Sequence, residues 1–258
     1  MLLQNKNIVI IGGTTGLGLS AALAFVKNGA KVVAVGHSEA TGQEAQQQLG
    51  ENGLVITADA TQETTASEAI RQCADHWGGC HGLYHVAGGS GRRFGDGPLH
   101  ELTLEGWNKT FELNLTSLML SNQAAVRYFR EQKQGGAILN MGSVLGYSPS
   151  PHYFATHAYA AAKSAIIGFT KSIAAYYAPD NIRVNVIAPA LVETPMAQRA
   201  AGDEGIMKFI KTKQPLEGGR IGQPQDADGL ATCLLSDQAN FITGQVIAVD
   251  GGWSISEG

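Results

Sequence analysis

Seven short runs of β-branched and apolar residues recur along the chain, and longer stretches with helical spacing separate them. The runs are Asn7–Ile11, Lys31–Val35, Leu54–Ala58, Gly82–Val86, Ala137–Met141, Arg183–Ala188 and Gln245–Val249. The helical stretches are Leu17–Lys27, Glu39–Leu49, Glu63–His76, Leu104–Gln132, Ala158–Tyr177 and Pro224–Leu235. The runs are apolar without a polar alternation, so both faces of each strand must be covered. Strands that alternate with helices in this way pair in parallel. The expectation is an α/β fold, a doubly wound parallel sheet of seven strands. A chain of 258 residues holds this as a single domain, residues 1–258, without a metal or disulfide staple. No Pro/Ser linker, low-complexity tract or internal repeat divides it.

Three segments are longer than a connection requires: Gly88–Pro98, Ser143–Thr156 and Val192–Gly222. All three follow strands, so they should gather at the carboxyl edge of the sheet, where ligands bind. The segment 192–222 breaks the alternation and reads as a substrate loop. Composition excludes several classes. Net charge is −4 and no basic tract occurs, so there is no footprint for nucleic acid. Charged residues are only 16%, against about 25% in typical domains, which implies surface hidden in subunit contacts. Cys73, Cys80 and Cys233 are odd in number and lack C-x-x-C spacing, which fits a reducing, cytoplasmic setting. The most apolar long stretch, Ala158 to Ala178, carries Lys163 and Lys171 and does not read as a membrane span.

The first strand runs into Gly12-Gly13-Thr14-Thr15-Gly16-Leu17-Gly18, and an alanine-rich helix follows. Such a turn brings backbone close to a phosphate, and the helix N-terminus offers free N–H groups with partial positive charge. Gly12 and Gly16 supply the turn and the approach, and Gly18 permits helix–strand packing. A Rossmann-like dinucleotide site is the reading; a tight turn without ligand is the plainer alternative.

Tyr159-Ala160-Ala161-Ala162-Lys163 places a phenol and an amine on one helix face. A nearby ammonium favours the phenolate, so the pair reads as a tuned general acid/base. Ser143 follows the fifth strand, where its hydroxyl can donate to a substrate oxygen and steady a developing alkoxide. An ordinary helical pair and a capping serine are the alternatives.

Together these motifs resemble the short-chain dehydrogenase/reductase family, whose turn reads T-G-x-x-x-G-x-G; Ile11 stands here for the leading Thr. The resemblance implies a catalytic set of Asn114, Ser143, Tyr159 and Lys163, with Asn114 holding a water that links to the lysine. It implies a cofactor contacted by Gly12, Thr14, Thr15, Gly16, Leu17 and Gly18, then by Asp59 and Ala60, Ala87 and Gly88, Tyr159 and Lys163, and Pro189, Val192 and Thr194. His85-Val86-Ala87-Gly88 stands where the family has N-N-A-G, so both asparagines are gone and His85 reads as structural. Pro189-Ala190 stands where P-G is usual, and the stretch between Ser143 and Tyr159 is longer than usual. In the family the helix corresponding to 158–177 packs against another subunit, which implies a homotetramer.

After the second strand the chain reads Gly36-His37-Ser38, without the carboxylate that would hold a ribose and repel a 2′-phosphate. That favours NADP over NAD, with His37, Ser38 and Thr15 near the phosphate and Glu39 as the residue that would reverse the choice. The function expected is NAD(P)-dependent interconversion of a small-molecule ketone or aldehyde and the corresponding alcohol. A non-catalytic dinucleotide-binding sensor is the alternative. Arg92, Arg93, Phe94, Tyr147, His152, Tyr153, Met196 and Met207 are pocket candidates; the Arg92–Arg93 pair would suit an anionic substrate group, although such a pair is more often a solvated loop.

Overall fold

The computed structural model describes residues 1–257. Seven strands form one parallel sheet: β1 (Asn7–Ile11), β2 (Lys31–Gly36), β3 (Gly53–Thr57), β4 (Gly82–His85), β5 (Gly136–Met141), β6 (Ile182–Pro189) and β7 (Val246–Val249). Their order is β3-β2-β1-β4-β5-β6-β7. Alternate side chains serve opposite faces. Ile8 and Ile10 of β1 enter one core with Val32, Ala34 and Leu139, while Val9 and Ile11 enter the other with Val33, Val35 and Ile138. Helices α1 (Gly16–Lys27) and α9 (Asp228–Leu235) cover the first face through Phe25, Leu234 and Leu235. Helices α3 (Thr65–Trp77), α5 (Ser117–Gln132) and α6 (His157–Tyr177) cover the second through Ile70, Phe129 and Ala174. Helix α2 (Glu39–Leu49) lies along the edge strand, where Gln46 accepts the N–H of Val55 at 2.9 Å.

The order reverses between β1 and β4, and loops leaving their carboxyl ends diverge there to open a crevice. The glycine turn leaves β1 at one side of that crevice, and Ala87 and Gly88 follow β4 at the other.

Two expectations are corrected. The stretch 104–132 is not one regular helix. Helix α4 (Leu104–Phe111) passes into a π-helical turn at Glu112–Thr116 before α5 begins. Segment 192–222 holds helices α7 (Gln198–Ala201) and α8 (Glu204–Lys213). Gly202 lies in the break between them and Gly205 in the first turn of α8, and Asp203 caps α8 by accepting from Ile206 N–H at 2.9 Å.

Candidate active site

The turn after β1 is shaped by close backbone approaches. Gly12 has φ +90°, and a Cβ there would stand 2.6 Å from the Ala87 nitrogen. A Cβ on Gly18 would stand 1.9 Å from the Gly12 carbonyl oxygen. Only glycine permits either contact. Helix α1 begins at Gly16 with no acidic residue in its first turn, and the side chain of Thr15 makes no cap bond. Its leading N–H groups and dipole therefore fit the diphosphate of a dinucleotide. Thr194 closes over this turn, its methyl 3.3 Å from where a Gly16 Cβ would stand. Val192 is fixed beside it by a parallel bridge to Gly222, and Pro189 ends β6 just before.

At the far end of the crevice His37 is exposed and Ser38 opens α2 without a side-chain cap bond. Thr14 and Thr41 hydroxyls face one another at 3.4 Å, and the absence of a side chain at Gly36 makes room for Thr14. Asp59 uses one carboxylate oxygen in its own turn, accepting from the Thr61 N–H and hydroxyl, both at 2.8 Å. Those bonds hold its carboxyl below the usual range against the opposing effect of burial, with the Lys109 charge acting in the same sense. Ala60 follows in the same turn.

Ser143 follows β5 in extended conformation, and its hydroxyl accepts the Leu145 N–H at 3.2 Å. The chain beyond it lies directly on α6, since a Cβ on Gly146 would stand 2.9 Å from the backbone carbon of Lys163. Tyr159 is half-buried as a residue, and Ser143 is near enough to act on its phenol. Lys163 is 3% exposed; its ammonium donates to the Met141 carbonyl at 2.9 Å and lies 5.5 Å from the centre of the Tyr159 ring. Burial pushes the phenol up to about 12, against a smaller opposing effect of the Ser143 hydrogen bond. Burial also draws the lysine down to about 8. Among the protein's own atoms, removal from water is the dominant influence on the phenol.

Asn114 is fully buried at the π-helical turn. Its amide donates to the carbonyls of Gly89 at 2.9 Å and Thr110 at 2.8 Å and accepts the Gly89 N–H at 3.2 Å. It thus clasps the chain just after Gly88. That glycine lies between Asn114 and Lys163: a Cβ on it would stand 2.6 Å from the Asn114 oxygen and 3.7 Å from the lysine nitrogen. The four expected catalytic residues come from three elements: Asn114 from the π-helical turn, Ser143 from the segment after β5, and Tyr159 and Lys163 from α6.

Two sets of residues escaped the sequence reading, and a third, around His85, was expected only as structural. Asp96 is 4% exposed, and its two oxygens accept the N–H groups of Ala158 and Tyr159, each at 3.0 Å. It caps the helix that carries the phenol, since Thr156 at that position makes no cap bond and the first turn of α6 has no acid. Asn140 of β5 joins Asn122 of α5 by paired amide bonds at 2.8 and 3.0 Å, and also donates to Thr170 of α6 at 3.0 Å. His85 sits between Ser121 at 2.9 Å and Ser117 at 3.4 Å, and burial together with the Lys163 charge lowers it to about 3, so it stays neutral. The signal for this last set was legible: Asn114, Ser117 and Ser121 recur at helical spacing on one face. The Arg92–Arg93 pair is also corrected. Arg93 turns onto the Phe94 ring at 4.7 Å, while Arg92 points to the Tyr153 carbonyl, which Arg199 also reaches.

A family model described as enoyl-(acyl carrier protein) reductase matches residues 12–254. A 2,5-dichloro-2,5-cyclohexadiene-1,4-diol dehydrogenase of Sphingobium indicum is 30% identical over 253 residues, covering 98% of each chain. A 3alpha-hydroxysteroid dehydrogenase of Mediterraneibacter gnavus is 34% identical over 256 residues, 97% of this chain and 98% of that one. Among solved structures, a short-chain type dehydrogenase/reductase from Mycobacterium ulcerans superposes with a TM-score of 0.89 at 29% identity, over 100% of this chain and 93% of that one.

Proposed function

Because the chain belongs to the short-chain dehydrogenase/reductase family and is an oxidoreductase, we propose that it interconverts a ketone or aldehyde and the corresponding alcohol, with NAD(P) as cofactor. The observation that carries this reading is the Tyr159 phenol beside Ser143, its ring centre 5.5 Å from the Lys163 ammonium, at the sheet edge that also bears the glycine turn. When bound, the nicotinamide supplies or accepts the hydride.

The chain's own residues manage the proton and the geometry. Ser143 holds the carbonyl oxygen and steadies the charge that develops on it. Tyr159 donates its hydroxyl proton to that oxygen in reduction and takes it back in oxidation. Burial pushes the Tyr159 phenol up to about 12, so at neutral pH the site holds the proton that reduction uses. Lys163, fixed by the Met141 carbonyl, holds ribose hydroxyls and leads the proton onward toward a water at Asn114. The glycine turn from Gly12 to Gly18 takes the diphosphate, Asp59 and Ala60 border the adenine, and Ala87, Gly88, Pro189, Val192 and Thr194 line the nicotinamide end. Segment 192–222 serves as the substrate loop.

NADP is the favoured cofactor, because Gly36-His37-Ser38 presents no carboxylate to a 2′-phosphate. A homotetramer is the proposed assembly. Within one chain α6 buries only the stripe Ala158, Ala162, Lys163, Ile166, Thr170 and Ala174 and leaves Tyr176 exposed, although most of its circumference is apolar. The proposed setting is cytoplasmic, in keeping with Cys73, Cys80 and Cys233 all being free; no helix among the described residues is long and apolar enough to cross a membrane.

Parallel titrations with NADPH and NADH, followed by turnover with a panel of ketones and alcohols, test the reading. Tighter binding of NADPH and cofactor-dependent absorbance change are expected. Tighter NADH would overturn the cofactor choice, and dinucleotide affinity without turnover of any member would favour a binding protein.

A further inference from the structure

The three long segments at the carboxyl edge meet at one backbone atom. Arg92, after β4, and Arg199, on α7, each direct a terminal guanidinium nitrogen to the Tyr153 carbonyl at 3.5 Å. Tyr153 lies in the segment between Ser143 and Tyr159 and is pinned to α8 by its ring against Phe209, at 5.3 Å between centres. The Arg92 segment abuts the start of α6 through the Asp96 bonds to Ala158 and Tyr159. The two exposed cations therefore stand on walls contributed by different parts of the chain, over the segment that leads from Ser143 to Tyr159.

Nothing in the fold neutralises them. Among the described residues neither arginine forms an ion pair with a carboxylate. Partial burial and the Arg199 charge hold Arg92 below the usual arginine range, with Asp96 opposing. Both Asp96 oxygens, however, are engaged at the helix start. At 3.5 Å the shared carbonyl is a weak acceptor for each fork, and most of the five N–H donors on each guanidinium remain unused. Two like charges drawn together repel, and an oxyanion placed between them converts that repulsion into two charge-assisted contacts.

We infer that Arg92 and Arg199 form a receptor for an oxyanion, a carboxylate or a phosphate, carried by the substrate away from its reacting carbon. This rests on the oxidoreductase reading of the site and narrows its substrates to anionic ketones and alcohols. Arg93 takes no part.

The test compares matched pairs of substrates: straight-chain keto acids of graded length against their methyl esters, and dihydroxyacetone phosphate against dihydroxyacetone. The wild-type protein is expected to prefer the anion in at least one pair by about tenfold or more in kcat/KM. In Arg92→Gln and Arg199→Gln that ratio should fall, and in the double variant it should approach one. Thermal melting checks that each variant is folded. A wild-type ratio near one in every pair overturns the inference while leaving the enzyme reading intact, as does an anion preference that survives in the double variant. Turnover of no pair member, charged or neutral, overturns both.

Discussion

The Tyr159 phenol and the Lys163 ammonium are displaced in opposite directions by one cause. Burial pushes the first up to about 12 and the second down to about 8. Alcohol oxidation requires the site to accept a proton. It should rise as pH increases through 8, where Lys163 loses its proton, and ketone reduction should fall over the same interval. Steady-state pH profiles check this, and Lys163→Met should remove the inflection near 8. Stability carries the same sign. A lysine whose folded value lies below its ordinary 10.5 favours the folded state above that value and loses this advantage as pH falls through about 8. Lys163→Met should therefore gain in melting temperature relative to the wild type at pH 7 compared with pH 10. At this scale the sequence revealed what is local. Tyr159 and Lys163 share a helix face, and Ser143 stands one residue beyond a gap at a strand end. Asp96 was not legible because its partners lie 62 and 63 residues away. The Asn122–Asn140 pair spans 18 residues and two element types, so no single-element periodicity exposes it.

Helix α6 takes its N-terminal cap from a different segment, and this couples the loop after β4 to the position of the phenol. Asp96→Ala leaves two buried N–H groups without partners. Removal of a cap costs about 0.5–2 kcal/mol, which urea denaturation should register. A loss of activity larger than that instability explains is also expected, because Tyr159 is in the first turn. The glycine turn gives a second expectation. Gly18→Ala forces a methyl against the Gly12 carbonyl, which would stand 1.9 Å away. Overpacking of this kind costs about 1–3 kcal/mol, and calorimetric titration should show weakened NADPH binding. Element types were legible because β-branched runs and helical spacing differ in period. Strand limits moved by only a residue, as with β3 at Gly53–Thr57. The π-helical turn was not legible, since Glu112–Thr116 keeps helical composition and departs from regular spacing only where Asn114 turns to the Gly89 backbone. Helix α7 was hidden by its shortness, and α8 by the Gly202 before it and the Gly205 in its first turn.

The whole molecule converts one topological fact, the reversal between β1 and β4, into a crevice bordered by the glycine turn and by the Ser143, Tyr159 and Lys163 side chains to which proton transfer is proposed. Fold class followed from the alternation of elements, and the gathering of three long segments at one edge followed from the parallel sheet. Which side chains meet across that edge did not, as the exchange of Arg93 for Arg199 beside Arg92 demonstrates. The open flank of α6 leads to an expectation at this scale: sedimentation equilibrium should give a mass near four times 27.1 kDa. Everything converges on Tyr159 as the group that moves the proton. The most direct measurement is kcat/KM of Tyr159→Phe beside its dinucleotide Kd and melting temperature. Loss of about 10²–10⁴-fold in kcat/KM with Kd and melting unchanged is expected. Activity within a few fold of the wild type in a folded, cofactor-binding variant would contradict the account.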